Sequence, residues 1–175
     1  VLFCQTLSHR KTEKNKSGSK LPIDHPSRRR LPPLIRECWM KLNYTLMRRL
    51  ADLSLTPDQY IVLRWLSEAT DSGLQGLSQK ELCDLMTSDP NTIAAMMLRM
   101  EKACLIRRIP DPSDRRRRIV SETDEGKKKF ARARTRARAL EEEALKGLSS
   151  LEREHLLEAL QMLAKSCKVA WKRKD

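Results

Sequence analysis

The feature that most constrains the fold is a pair of short helices followed at once by a hairpin. Ser78-Gln79-Lys80-Glu81 has the Ser-x-x-Glu pattern of a capping box and predicts a short helix through Met86. Asp89-Pro90 places a capping residue before a proline and predicts a second helix that runs to about Cys104. Two short helices joined by so tight a turn are typical of a helix-turn-helix.

A hairpin follows this pair directly. Leu105–Pro110 and Arg118–Glu122 are short segments compatible with β-structure. Between them stands Asp111-Pro112-Ser113-Asp114, in which aspartate and proline occupy the first two positions of a turn. A hairpin placed directly after a helix-turn-helix is a wing, so the sequence predicts a winged helix-turn-helix with a two-stranded wing.

Longer helices flank this unit on both sides. Apolar residues at helical spacing predict a first helix from Leu34 to about Asp52, and Thr56-Pro57-Asp58-Gln59 caps a second that runs to about Ala69. Two further long helices start at the caps Thr123 and Ser149. Each long helix has one apolar face that needs a partner, which predicts a homodimer seam. The fold class is therefore mainly α, with a winged lobe at about 54–122 and dimerisation helices at about 33–52 and 123–172.

The charge points to a polyanionic partner. The chain has 36 lysines and arginines against 23 aspartates and glutamates, for a formal net charge of +13. Residues 1–32 form a basic arm whose few apolar residues show no period, so we expect it to be disordered. The arm is either a solvated tail or a segment that contacts phosphates or a partner subunit. Leu31-Pro32-Pro33 is expected to break any helix and mark the boundary with the domain at 33–175.

Several functional classes are not supported. No apolar run is long enough to cross a bilayer, and Val1–Leu7 lacks the pattern of a signal peptide. The five cysteines include no Cys-x-x-Cys pair, so a reducing cytoplasm is expected. His9, His25 and His155 form no ligand cluster, so we expect no metal and no cofactor. With no phosphate-binding glycine loop and no nucleophile elbow, we expect no enzyme.

From Leu53 to about Ala164 the sequence resembles the MarR family of prokaryotic transcription regulators. The resemblance is carried by these segments: Leu55-Thr56-Pro57-Asp58-Gln59-Tyr60, Leu77-Ser78-Gln79-Lys80-Glu81-Leu82, Asp89-Pro90-Asn91-Thr92-Ile93, Arg99-Met100-Glu101-Lys102, Leu105-Ile106-Arg107-Arg108, Asp111-Pro112-Ser113-Asp114-Arg115-Arg116, and Thr123 with Gly126. It implies a homodimeric, sequence-specific repressor that binds a pseudo-palindromic operator in double-stranded DNA and is relieved by a small effector. The alternative is a winged-helix module that binds nucleic acid without specificity or binds another protein.

The second helix of the motif would supply the contacts to base edges. Its inward stripe is expected to be Ile93, Met97, Met100 and Cys104, and its outer face Asn91, Thr92, Ala95, Met96 and Arg99. In the first turn, Asn91 and Thr92 have short polar side chains and free backbone N–H groups that can meet bases and phosphates. Ala95 is a candidate for a thymine methyl group and Arg99 for a phosphate or guanine, with solvated positions as the alternative. Ser88 is expected to cap the helix or to reach a phosphate.

The wing and the next helix carry further basic candidates. The wing arginine that enters the minor groove in the family matches Arg116, beside Arg115, and Asp114 matches the acid that steadies the turn. Lys127 and Lys128 are expected close enough to the wing to contact phosphates. The arginines that follow are expected to be solvated or to pair, either with Glu141-Glu142-Glu143 at i, i+4 spacing or with the other subunit.

An effector pocket and the cysteines complete the expectations. The family binds small anionic or phenolic molecules between its dimer helices and its DNA-binding lobe, and the candidate lining here is Trp39, Tyr44 and Trp65. Ordinary core packing of these aromatics is the alternative. Cys38, Cys104 and Cys167 lie on apolar stripes and are expected to be buried. Glu122 stands where the family has an apolar residue and is expected to loosen the base of the wing.

Overall fold

The structure, a computed structural model, describes residues 31–111, 114 and 118–172. The basic arm up to residue 30 and Arg115 and Arg116 of the wing lie outside the described residues. The helices are α1 (Leu31–Leu50), α2 (Pro57–Asp71), α3 (Gln79–Met86), α4 (Pro90–Lys102), α5 (Asp124–Leu145) and α6 (Ser150–Lys172), and the strands are β1 (Leu77–Ser78), β2 (Ile106–Pro110) and β3 (Arg118–Glu122). A single 3-10 turn, Ala51–Leu53, follows α1. Within this described part, no helix is both long and apolar enough to cross a membrane.

The helix starts predicted from capping patterns are confirmed. Gln59 N donates to Thr56 Oγ1 at 3.2 Å, and Thr56 N donates to Gln59 Oε1 at 3.0 Å, which closes the capping box of α2. Ser78 and Glu81 make the same pair of bonds at the start of α3. Because a capping box joins residues only three positions apart, the local sequence is enough to determine it.

Helix α1 begins earlier than expected. Pro32 and Pro33 do not precede the helix but lie in its first turn, after Leu31. A proline in the first turn removes only a backbone N–H that has no intrahelical acceptor, so the helix tolerates it there. The boundary expected after residue 32 therefore falls inside a continuous helix.

The sheet has a strand that the sequence did not predict. The order is β1-β3-β2, all antiparallel, with Leu77 opposite Val120 and Ile106 opposite Glu122. The expected two-stranded wing is thus extended to three strands at its base. A two-residue strand shows no period in the sequence, and its pairing depends on close approach: a Cβ atom at Gly76 would collide with the carbonyl oxygen of Val120.

A closed core holds together α2, α3, α4, the sheet and the start of α5, which we call the winged-helix lobe. Its largest fully buried side chains are Leu50, Val62, Leu63, Leu66, Leu82, Ile93, Met97, Met100, Leu105 and Ile106. Phe130 joins α5 to this core by stacking on Tyr60 of α2, with ring centroids 5.7 Å apart. The lobe therefore buries its apolar residues within one chain.

The apolar faces of α1 and α6 are largely exposed. Trp39 on α1 is 51% exposed, and Leu156 and Leu160 on α6 are 37% and 45% exposed. The prediction that Cys38, Cys104 and Cys167 are buried is wrong, since all three are exposed. Cys38 and Cys167 lie on these open helices, and Cys104 lies beyond the end of α4 with a left-handed φ of 55°.

Arg136 of α5 pairs differently from the i, i+4 expectation. Arg136 forms a two-point ion pair with Asp52 and also donates to the carbonyl oxygen of Arg49 at 2.6 Å. Arg49 pairs with Glu143 at 2.5 Å, and Glu142 pairs with Arg153 of α6 at 2.7 Å. These side chains are long enough to reach neighbouring elements, so tertiary neighbours replace the helical ones. The hydrogen bond from Arg136 lowers the pKa of Asp52.

Candidate nucleic-acid interface

Helix α4 is anchored by one apolar stripe. Ile93, Met97 and Met100 are fully buried, and Met96 is only 6% exposed. The expectation that Met96 lies on the outer face is therefore wrong. It falls one position before Met97 and is close enough in angle to the buried stripe to be covered by the lobe.

The opposite side of α4 is an exposed stripe made of Asn91, Ala95, Leu98 and Lys102. These positions follow i, i+4, i+7 and i+11, so they lie above one another on a single face. Sequence reasoning placed Asn91 and Ala95 there but did not single out Leu98 or Lys102 for DNA contact. The helical period indicates both residues, because Leu98 and Lys102 stand at i+7 and i+11 from Asn91.

Thr92 and Arg99 lie on the flank of α4 rather than on this stripe. Both line a cavity of about 360 Å³ between α4, the turn after α3 and the start of α2. Thr56, Asp58 and Ser88 line the same cavity. Thr92 and Arg99 thus face the edge of the helix-turn-helix.

Asp89, not Ser88, caps α4. Its carboxylate accepts from the backbone N–H of Asn91 at 3.0 Å and of Thr92 at 2.9 Å, and from the Thr92 hydroxyl at 2.5 Å. The Thr92 hydroxyl bond is the main cause that lowers the pKa of Asp89. The expectation of free N–H groups at Asn91 and Thr92 is therefore wrong, because the cap already satisfies them. Ser88 is half-buried, and its backbone N–H donates to the carbonyl oxygen of Cys83.

The described part of the wing exposes basic side chains on both strands. Arg107 and Arg108 on β2 and Arg118 on β3 are exposed. In the turn, Asp111 is buried and Asp114 is exposed. Arg107 and Arg108 were not among the expected contacts, although they follow the end of α4 by only a few residues.

The start of α5 is fastened to the end of α4. The Thr123 hydroxyl donates to the carbonyl oxygen of Cys104, and the Thr123 backbone N–H donates to that of Leu105 at 3.1 Å. Gly126 passes so close to Leu105 that a Cβ atom would collide with its carbonyl oxygen. Lys127 and Lys128, both exposed, are thereby held beside the wing base and near the C-terminal end of α4.

Glu122 is a buried acid at the base of the wing. It is 5% exposed, its Oε1 has no hydrogen-bond partner, and burial raises its pKa to about 7. Lys127 opposes this rise in pKa, and the carboxylate of Asp71 at the end of α2 adds to it. Across the sheet, Glu122 lies opposite Ile106.

A second cavity, of about 240 Å³, lies between α2 and α5. Tyr60 and Phe130 supply aromatic surface, and three arginines lie beside three acids: Arg64, Arg134 and Arg138 with Glu68, Asp71 and Glu141. Arg64 is paired with Glu68 at 2.8 Å. Arg134 lies 5.8 Å from the centre of the Phe130 ring. Burial raises the pKa of Tyr60.

The three aromatics expected to line an effector pocket do not line this cavity. Trp39 and Tyr44 are 51% and 58% exposed on α1. Trp65 is half-buried against the core of the lobe, with an Nε1 atom that is buried without a hydrogen-bond partner. Among the described residues, no group of histidines, cysteines and carboxylates is arranged to hold a metal ion.

A helix-turn-helix with an exposed stripe on its second helix, followed by a wing and a basic helix start, defines the chain as a winged helix-turn-helix protein. A model of the MarR family matches residues 55–117. The transcriptional regulator HosA of Escherichia coli O111:H- is 36% identical over 109 residues, which cover 62% of this chain and 77% of that protein. The chain belongs to the MarR family and is a transcription regulator rather than an enzyme.

Solved structures agree with this fold. The MepR–DNA complex of Staphylococcus aureus has a TM-score of 0.71 at 20% identity and covers 79% of this chain and 96% of that one. CouR of Rhodococcus jostii RHA1, bound to p-coumaroyl-CoA, has a TM-score of 0.69 at 24% identity and covers 75% of this chain and 89% of that one.

Proposed function

We propose that the protein is a homodimeric repressor that binds a pseudo-palindromic operator and is released from it by a small anionic effector. The observation that carries this proposal is the exposed stripe of α4, which lies in the same lobe as the exposed Lys127 and Lys128. Base edges would be contacted by the stripe and phosphates by the lysines. The proposal places the protein in the cytoplasm, where prokaryotic operators are found.

The charge of the lobe supports DNA as the partner. Asp89 is the acid nearest to the start of α4, and its negative charge is directed to the N–H groups of its own helix. The neighbouring Arg107, Lys127 and Lys128 are exposed and basic. Arg116, matched to the minor-groove arginine of the family, remains part of the proposal together with Arg115. The MepR structure, which has the same fold, was solved as a complex with DNA.

The exposed leucines of α6 support the dimer. Leu156, Leu157 and Leu160 are each at least 37% exposed, and none of them belongs to the buried core of the lobe. A second copy of the chain would cover this surface and that of α1 by two-fold symmetry. The same symmetry would place two α4 helices in successive major grooves, about 34–36 Å apart.

The cavity between α2 and α5 supports a small anionic effector. Two aromatic rings line it, and its three arginines lie beside Glu68, Asp71 and Glu141. Because Arg64 is paired with Glu68, Arg134 and Arg138 are the side chains proposed to bind the carboxylate of a planar apolar ligand. Trp39, Tyr44 and Trp65 do not line this cavity, so this effector position is distinct from the pocket that the resemblance implies. CouR, with the same fold, was solved with p-coumaroyl-CoA, which has an aromatic group and anionic phosphates.

The test is selection of genomic fragments by the purified protein at near-physiological salt, followed by sequencing. The wild type is expected to recover a palindromic site that Asn91→Ala and Arg116→Ala recognise less well. Lys128→Ala should weaken binding to all sequences alike and reduce the salt slope by about one. Lys165→Ala, which changes an exposed lysine on α6, is the matched control and should change neither. Uniform recovery without a motif would contradict a sequence-specific regulator and indicate nonspecific binding instead.

The effector is tested on the complex with the recovered site. An aromatic carboxylate such as 4-hydroxycinnamate should displace the DNA from the wild type, because its negative charge would be neutralised by the arginines of the cavity. Arg134→Gln should require at least about tenfold more ligand, as expected when one charge-assisted contact is lost. Equal release from both proteins would contradict this position for the effector.

A further inference from the structure

Leu98 lies near the middle of the exposed stripe of α4. Its side chain is 49% exposed, although leucines elsewhere in the lobe fill the core. The face opposite it, with Ile93, Met97 and Met100, attaches α4 to the lobe. Leu98 is therefore presented outward by the packing of the helix on which it lies.

The chemistry of the stripe changes along its length. Asn91 at one end and Lys102 at the other are polar, whereas Ala95 and Leu98 between them have no group that donates or accepts a hydrogen bond. From Asn91 to Leu98 the helix rises by about 10 Å, which matches about three base-pair steps. The centre of the stripe, formed by Ala95 and Leu98, is thus an apolar surface.

We propose that Leu98, together with Ala95, recognises the C5-methyl groups of thymines in the major groove. This inference rests on the proposed function, since it assumes that α4 enters DNA. Of the four bases, thymine alone presents a methyl group in the major groove, and the other edges present donors and acceptors. A leucine placed against those edges would remove water from polar atoms without replacing the lost hydrogen bonds. The stripe therefore favours A·T pairs at its centre.

The residues on the flank of α4, Thr92 and Arg99, are not the ones proposed to contact thymine methyl groups. The Thr92 hydroxyl is bonded to the Asp89 carboxylate, and Arg99 lines the cavity beside α2. The charges around the stripe also select DNA over an apolar protein partner, because Lys102, Lys127 and Lys128 are exposed and basic. The apolar centre is consequently surrounded by groups suited to phosphates.

The experiment replaces thymine by uracil, one position at a time, in the site recovered by genomic selection. Uracil keeps every hydrogen bond of the base pair and lacks only the methyl group. The wild type is expected to lose affinity about fourfold for each half-site in which a contacted methyl is removed, the effect of one buried methyl group. Leu98→Ala should bind thymine and uracil sites equally at that position. Leu85→Ala, which changes an exposed leucine of α3, should retain the sensitivity of the wild type.

The outcomes separate this inference from the proposed function. A specific site that the wild type binds equally with thymine or uracil at every position would overturn the inference and leave the regulator intact. If Leu98→Ala keeps the full sensitivity to uracil, the proposal that Leu98 contacts the methyl group is overturned. A selection that recovers no preferred site would overturn the proposed function, and this inference with it. The uracil series uses the wild type, so it decides the matter even if a variant folds poorly.

Discussion

The winged-helix lobe and helix α6 use leucine in opposite ways. Leu63 of α2 is fully buried and belongs to a core shared by four helices and a sheet, whereas Leu160 of α6 is 45% exposed. Both residues lie on apolar stripes with helical spacing, and both helices begin with a capping box. The comparison shows that an apolar stripe identifies the face of a helix that must pack against other apolar residues. Whether those residues belong to the same chain depends on the tertiary structure. In the lobe, residues of the same chain bury the apolar stripes. We propose that a second copy of the chain buries the stripe of α6.

The largest expected effect concerns the core of the lobe. Leu63→Ala should lower the free energy of unfolding by about 2–5 kcal/mol, because it removes buried methyl groups and leaves a cavity. Urea denaturation followed by circular dichroism measures this loss. Leu74→Ala, at a 54% exposed position, is the control and should change stability by no more than about 0.5 kcal/mol. Equal losses in both variants would mean that the lobe is not a closed core.

The pH dependence of stability tests whether a charge on Glu122 is unfavourable inside the lobe. The Glu122 pKa of about 7 in the folded protein lies above the ordinary value of 4.5, so the folded state binds more protons than the unfolded state between these values. Stability should therefore fall as the pH rises through that window, by about 3 kcal/mol in total. Glu122→Gln should abolish this part of the pH dependence, measured by urea denaturation between pH 4 and pH 8.

The control for this effect is Glu154→Gln, which changes an exposed carboxylate on α6 and should keep the slope of the wild type. A slope that survives in Glu122→Gln would assign the pH dependence to other groups. Asp71 and Lys127 are the charged neighbours that act on Glu122, and they remain in both variants.

The open face of α6 gives a smaller effect of a different kind. Leu160→Glu places a charge in the proposed dimer seam and should raise the dimer dissociation constant by at least about tenfold, as seen by sedimentation equilibrium. Met162→Glu adds the same charge at a 70% exposed position on the opposite side of the helix and should leave the dimer intact. A dimer that is insensitive to Leu160→Glu would show that another surface covers the subunits.

The junction between the lobe and α5 should give the smallest effect. Thr123→Ala removes the cap on the Gly126 N–H and the hydroxyl bond to the Cys104 carbonyl oxygen, at a cost of about 1 kcal/mol. Thr123→Ser keeps both bonds and should restore most of the stability measured by thermal unfolding. If serine and alanine are equally destabilising, the methyl group of Thr123 rather than its hydroxyl is responsible.

Much of the architecture could be predicted because its signals are local. The caps Thr56, Ser78 and Thr123 and the limits of β2 and β3 were placed within a residue or two. The site was predicted less completely. Asn91 and Ala95 were placed on the exposed stripe, but Met96 is buried and Leu98 was overlooked. The cavity between α2 and α5 was also missed, because its lining comes from residues more than sixty positions apart in the chain.

The sequence by itself determined where α2 to α6 begin, the helix-turn-helix and the hairpin that follows it. Each of these depends on residues a few positions apart, whose hydrogen bonds form without regard to distant parts of the chain. Only the tertiary structure decided that Glu122 and Met96 are buried and that Arg136 pairs with Asp52 instead of a helical neighbour. Burial and long-range pairing depend on which surfaces meet in space, and the apolar period of one helix does not specify its partner.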